Sequence, residues 1–132
     1  MKMLLVIFLV SISTSLFAQV IPGVTGVRVI TIDGEKANLI TNAKGLTLYT
    51  FDPDGASESN CYDDCAVVWP PILLTPAEVK LVKGEFGTAK RKDGTTQLTY
   101  DSHPLYLFKN DKKPGDTLGD GLGGVWHIAI DE

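Results

Sequence analysis

Long apolar runs are scarce in this 132-residue chain. The only one, Met3 to Val10, lies behind Lys2 and ahead of the small and apolar residues Ser11 to Ala18. That order reads as a secretory signal over residues 1–18, cut before Gln19. The run is too short for a bilayer span. No second one follows, so the mature chain is expected to be secreted or periplasmic, with no transmembrane segment. Gln19 stands where a lipid-anchored protein would present cysteine, which leaves no acceptor thiol.

Basic residues are also few. After Lys2 is removed, eleven basic side chains face sixteen acidic ones, net −5. Nucleic acids and anionic membrane surfaces need basic patches, so both are poor partners. The one dense basic cluster, Lys90-Arg91-Lys92, abuts Asp93-Gly94 and reads as the solvated end of a hairpin. Catalytic signatures are missing as well: there is no Gly-x-Ser-x-Gly, phosphate-cradling loop or His-Glu-x-x-His. Asp101-Ser102-His103 holds triad residue types, but strand neighbours point to opposite faces. The glycine-rich stretch Gly119 to Gly124 lacks the strand and helix of a nucleotide loop.

What the chain does have is one pattern written twice. Tyr49-x-Phe51-x-x-Asp54 is followed by Trp69, and Tyr106-x-Phe108-x-x-Asp111 by Trp126, each anchor 57 residues from its counterpart. A repeat of this length marks a supersecondary unit that needs its neighbour to bury its apolar face. The mature chain, residues 19–132, is therefore expected to be a single domain of two repeats, about 27–72 and 84–130.

Strand signals dominate both halves. Val27 to Ile32 ends at the turn Asp33-Gly34, and Ala37 to Thr41 returns. Leu46 to Phe51 is a third strand, with Thr47, Tyr49 and Phe51 on one face. Phe86 to Lys92, Thr96 to Tyr100 and Pro104 to Phe108 repeat that order, with a hairpin about one loop shorter, and Val125 to Ile130 closes the chain. Helix is limited to a turn or two in Tyr62 to Val68 and to Pro76 to Leu81, where Thr75 caps the first turn. The expected fold is mostly β, with pseudo-two-fold symmetry and short helical turns near the cysteines.

The quoted anchors resemble the bacterial secreted repeat of unknown function, also described as predicted lipoproteins with a Yx(F/W/Y)xxD motif. The likeness runs from about Leu39 to Ile130. It takes in Gly45 to Phe51, Cys61-x3-Cys65-Ala66-x-x-Trp69-Pro70-Pro71, Phe86-Gly87, Arg91-x-Asp93-Gly94, Gln97, Pro104-Leu105-Tyr106, Pro114-Gly115-Asp116 and Gly124-x-Trp126. It implies export and a repeated β unit. The chain departs from lipidated members at Gln19, and Tyr62-Asp63-Asp64 between the cysteines is more acidic than usual there.

Candidate sites divide between structural and chemical readings. The four motif aromatics and both tryptophans read as core, each tyrosine hydroxyl reaching a backbone partner. Asp54 and Asp111 read as turn carboxylates. A hard-cation site using Asp52, Asp54, Asp111, Asp116 and Asp120 is the alternative, though no complete calcium loop is present. Cys61 and Cys65, an even pair in an exported chain, favour a disulfide. Redox use, or metal binding with His103 and His127, is the alternative. Two functions remain: a non-enzymatic envelope module that binds a protein or small ligand without cofactor, or a redox or metal-handling accessory.

Overall fold

The computed structural model describes residues 6–7 and 20–131. The segment read as an export signal, residues 1–18, lies outside them apart from Val6 and Ile7.

β1 (Thr25–Ile32) and β2 (Glu35–Asn42) pair along their whole length, from Thr25↔Asn42 to Ile32↔Glu35. Asp33 and Gly34 turn the hairpin with φ 50 and 83, the doubly positive form that follows the twist of the strands. β3 (Tyr49–Phe51) is followed by the short helices α1 (Asp64–Val68) and α2 (Pro76–Val79). α2 starts with a capping box in which Thr75 Oγ1 accepts from Glu78 N–H and Glu78 Oε1 accepts from Thr75 N–H. The second half brings β4 (Phe86–Lys90), β5 (Thr96–Tyr100), β6 (His103–Pro104), β7 (Trp126–Ile128) and β8 (Ile130–Asp131). The β4–β5 hairpin is shorter, as expected: Thr88↔Leu98 closes a tighter span than Val27↔Ile40. Both hairpins place a glycine against a threonine, Gly26↔Thr41 and Gly87↔Thr99. A Cβ on either glycine would lie 2.9 Å from the threonine Oγ1.

The halves are joined by exchange. The segment around Trp126 enters the first half, where Ala129 N–H bonds Leu48 C=O at 2.8 Å and Asp52 N–H bonds Val125 C=O at 2.9 Å. The segment around Trp69 does the same in the second half, with Ile72 N–H to Leu105 C=O at 3.0 Å and Lys109 N–H to Val68 C=O at 3.0 Å. The hairpins receive these segments at matching places, Ile40 N–H to Ala129 C=O and Leu98 N–H to Ile72 C=O. The pseudo-two-fold axis passes between Tyr49 and Tyr106, whose backbones exchange both hydrogen bonds at 2.8 and 3.0 Å.

This exchange shortens the regular strands. Leu46 to Phe51 is expected as one strand, yet only Tyr49–Phe51 is regular. Thr47 and Leu48 still pair with β2, and the chain then leaves β2 to pair with β7. Pro104 to Phe108 is likewise reduced to β6 and single bridges from Tyr106 to Tyr49 and Pro71. The closing strand splits into β7 and β8 at Ala129, which bonds both β2 and Leu48. In each case one strand divides its hydrogen bonds between two partners.

Two cores result. One is mainly aliphatic and includes Ile40, Leu48, Ile72, Leu98, Leu105 and Ala129. The other is aromatic and holds Tyr49, Trp69, Tyr106, Phe108, Trp126 and Cys61, with Phe51 packed against it. Strand alternation sends Leu48 to the first and its neighbour Tyr49 to the second.

Candidate functional site

The doubled motif assembles a single aromatic core across the axis. Trp69 and Trp126 stack with centroids 3.8 Å apart and planes 5° from parallel. Phe108 stacks on Trp69 at 4.3 Å and Phe51 on Trp126 at 4.1 Å, giving the order Phe51, Trp126, Trp69, Phe108. Tyr49 meets Trp69 edge-on at 5.3 Å and Tyr106 meets Trp126 edge-on at 5.2 Å. Both tryptophans are buried. Stacked and edge-on pairs of this kind add about 0.5–1.5 kcal/mol each beyond area burial.

The sequence reading gives each tyrosine hydroxyl a backbone partner, and Tyr49 has one, its Oη accepting from Gly119 N–H at 3.2 Å. Each donates to a carboxylate of the opposite repeat: Tyr49 Oη to Asp111 Oδ2 at 2.6 Å, and Tyr106 Oη to Asp54 Oδ2 at 2.7 Å. The second oxygens of the carboxylates do accept backbone N–H groups, Asp111 Oδ1 from Leu118 at 3.0 Å and Asp54 Oδ1 from Asn60 at 2.7 Å. The turn role foreseen for both aspartates is thus half of what they do. Burial first, then the Asp111 carboxylate, holds the Tyr49 phenol well above its ordinary pKa. Burial raises Tyr106 likewise, against a lowering contribution from Ser59. Burial also raises Asp54, opposed by its bonds from Tyr106 and Asn60 and by the Arg91 charge.

A known repeat covers most of the chain. The chain belongs to the family of secreted repeats of unknown function. The family matches twice, over residues 30–73 and 87–130, an offset equal to that of the motif. No curated protein and no solved structure shows a match to the chain.

The second repeat adds a buried cation that the sequence reading misplaces. Arg91 is not a solvated hairpin end but is buried. Its Nη1 donates to Ser59 Oγ at 2.9 Å and Gln97 Oε1 at 2.8 Å, and its Nη2 to the Cys61 carbonyl at 2.7 Å. Ser59 Oγ lies 2.7 Å from Tyr106 Oη, and Gln97 Nε2 donates to Leu105 C=O at 2.9 Å. The guanidinium sits 4.3 Å from the Tyr62 ring centroid. A planar donor fork suits several acceptors converging in one dry place. Arg91 and Gln97 belong to the run shared with the family, and that was the available signal. Ser59 carried none.

Cys61 and Cys65 form a disulfide, so neither thiolate is free as a ligand. His127 is exposed on the face opposite Trp126, its Nε2 2.9 Å from Asp52 Oδ2. His103 lines a polar cavity of about 550 Å³ with Glu85, Tyr100, Asp101 and Thr50, and the Tyr100 hydroxyl there donates to Asp131. Asp116 Oδ2 accepts from Lys112 and Lys113 N–H, and Asp120 Oδ1 from Ile128 N–H. The five aspartates weighed as a cation site are thus spent on tyrosines, a histidine and backbone amides. Among the described residues no helix of this secreted repeat is long and apolar enough to cross a membrane.

Proposed function

We propose that the protein is an exported, non-catalytic module of the cell envelope that binds a partner protein or small ligand at its surface. In this reading the doubled motif is scaffold. The observation that carries it is the crossing of the two Tyr–Asp pairs. The side chains that recur at the family's spacing are committed to each other across the axis. Their phenols are held as fixed donors, because burial raises both pKa values. A general base or nucleophile must be free to exchange its proton with a substrate, and these groups are already engaged. Recognition then falls to surface depressions that the scaffold holds in place.

The test is direct. Exported protein, expected to begin at Gln19, is assayed on chromogenic esters, phosphoesters, glycosides and disulfides, and its copper and zinc content is measured without an affinity tag. We expect rates equal to those of a heat-denatured control, and no stoichiometric metal. Turnover abolished by Cys61→Ser, or bound metal lost on replacing His103 or His127, would overturn the reading in favour of a redox or metal-handling accessory.

A further inference from the structure

We propose that the groove between α2 and the β4–β5 turn binds single-chain anionic amphiphiles, of which a fatty-acid carboxylate is the type. The inference rests on the binding reading above and names its ligand class.

The walls follow from strand alternation. Ile72 and Leu74 turn into the core, so Leu73 must turn outward, and it is 48% exposed. Pro76 and Val79 of α2 face the same space, Val79 being 37% exposed. The walls are preorganised: the capping box fixes the start of α2, and Leu74 N–H bonds Thr96 C=O at 2.8 Å. The groove encloses about 690 Å³. Small-molecule sites span roughly 300–1,000 Å³ and are mostly apolar with a few polar groups that orient the ligand. A volume in that range suits one acyl chain rather than the two of a phospholipid.

The charged groups here are cationic. Lys80 and Lys90 line the groove, and neither ammonium has a hydrogen-bond or ion-pair partner among the described residues. Between Glu78 and Asp93 five basic residues, one of them the buried Arg91, meet three acids, Glu78, Glu85 and Asp93, in a chain that is net negative, and the only charged side chains lining the groove are Lys80 and Lys90. The polar cavity beside His103 carries Glu85 and Asp101 instead and repels an anion. An apolar chain with a negative head therefore finds both of its requirements met in one place, the groove.

The experiment is an amide chemical-shift titration of the mature chain with octanoate, decanoate and dodecanoate, each kept monomeric. Shifts should centre on Leu73, Val79 and Thr96. Each added pair of methylenes should tighten binding roughly tenfold, given the gain per buried methylene. Dodecanol, without the charge, should bind at least several-fold more weakly than dodecanoate. Leu73→Asp should abolish binding, and Lys80→Glu with Lys90→Glu should weaken it more than tenfold, both with unchanged shifts in the aromatic core. His103→Ala should leave it unaltered. Shifts centred on the His103 cavity, dodecanol binding as tightly as dodecanoate, or co-sedimentation with phosphatidylglycerol vesicles without dodecanoate shifts would overturn the proposal. Catalytic turnover would sink the underlying non-catalytic reading and leave the titration result standing. A silent titration without turnover sinks the groove alone.

Discussion

The Tyr49–Asp111 and Tyr106–Asp54 pairs share a geometry and differ in their surroundings. Around Tyr106 lie Ser59, Gln97 and the buried Arg91, under a loop closed by the disulfide. Around Tyr49 the bonds come from backbone: Gly119 N–H donates to the Tyr49 hydroxyl at 3.2 Å, and Leu118 N–H to Asp111. Leu39 stands opposite the exchanged strand at Ile130, where Gln97 stands opposite Leu73. Leu118 and Leu122 occupy the positions of the cysteines and are exposed. Gly119 allows the backbone to come so close, since a Cβ there would lie 2.6 Å from Trp69 Cη2. The fold thus demands the crossed pair in both halves but not the chemistry that surrounds it. One half uses a charged side-chain network and a covalent staple, the other a glycine and main-chain amides.

The largest effect should test the symmetry itself. Trp69→Ala and Trp126→Ala should each cost about 3–5 kcal/mol in urea unfolding, as large aromatic truncations in a core do. The two losses should agree within about 1 kcal/mol; a wider gap would mean that the stack is supported unequally. Next comes the asymmetry. Arg91→Met orphans acceptors on Ser59, Gln97 and Cys61, each worth roughly 1–3 kcal/mol when buried. A total loss of about 2–4 kcal/mol is expected, while Arg28→Met in the first half should stay within about 0.5 kcal/mol. Equal losses would show that the buried network adds nothing to its half.

Removing the staple should matter less. Cys61→Ser with Cys65→Ser should cost about 2 kcal/mol on chain-entropy grounds for so short a loop. Amide exchange should then rise across residues 52–63 and hold steady across 109–121. An equal rise in both loops would count against a staple that serves one repeat.

The smallest effect is on pH dependence. Burial raises the Asp54 pKa, so the native state holds that proton more tightly than the unfolded chain. Its contribution to stability therefore falls as pH rises from the ordinary carboxylate value, about 4, through the raised native one. Asp54→Asn should flatten that part of the stability profile. The phenols act in the same sense at the other end of the scale: with Tyr49, Tyr100 and Tyr106 raised, stability should fall as pH climbs above about 10. Tyrosinate absorbance should then appear together with unfolding. Ionisation of these phenols in a still-folded chain would contradict the buried hydrogen bonds.

Much of this was legible in the sequence, and the limits have physical causes. Turn chemistry at Asp33-Gly34, the cap at Thr75 and the constant spacing of Tyr, Phe, Asp and Trp are local or periodic, so the hairpins, α2 and the symmetry could be read directly. The aromatic face of β3 followed from alternation. The exchange could not be read, because which strand pairs with which depends on residues far apart in sequence, such as Leu48 with Ala129 and Ile72 with Leu105. For the same reason the tyrosines were given backbone partners only, and the carboxylates of the other repeat to which they donate were missed. Arg91 was misplaced because a basic triplet beside a turn is ordinarily solvated. Only the converging acceptors Ser59, Gln97 and Cys61 make its burial affordable, and they meet only in three dimensions.

The exchanged strands carry a consequence for how the chain acquires its structure. Neither repeat contains the strand that completes its own sheet: the first waits for Ala129 and Ile130, the second borrows from Pro70 to Leu74. Such long sequence separations give a high contact order and slow folding. As the chain emerges N-terminus first, the β2 edge of the first hairpin stays unpaired until Ala129 to Asp131 arrive. Those residues act as a clasp, and cutting the linker between the repeats should yield two fragments that fold only on each other.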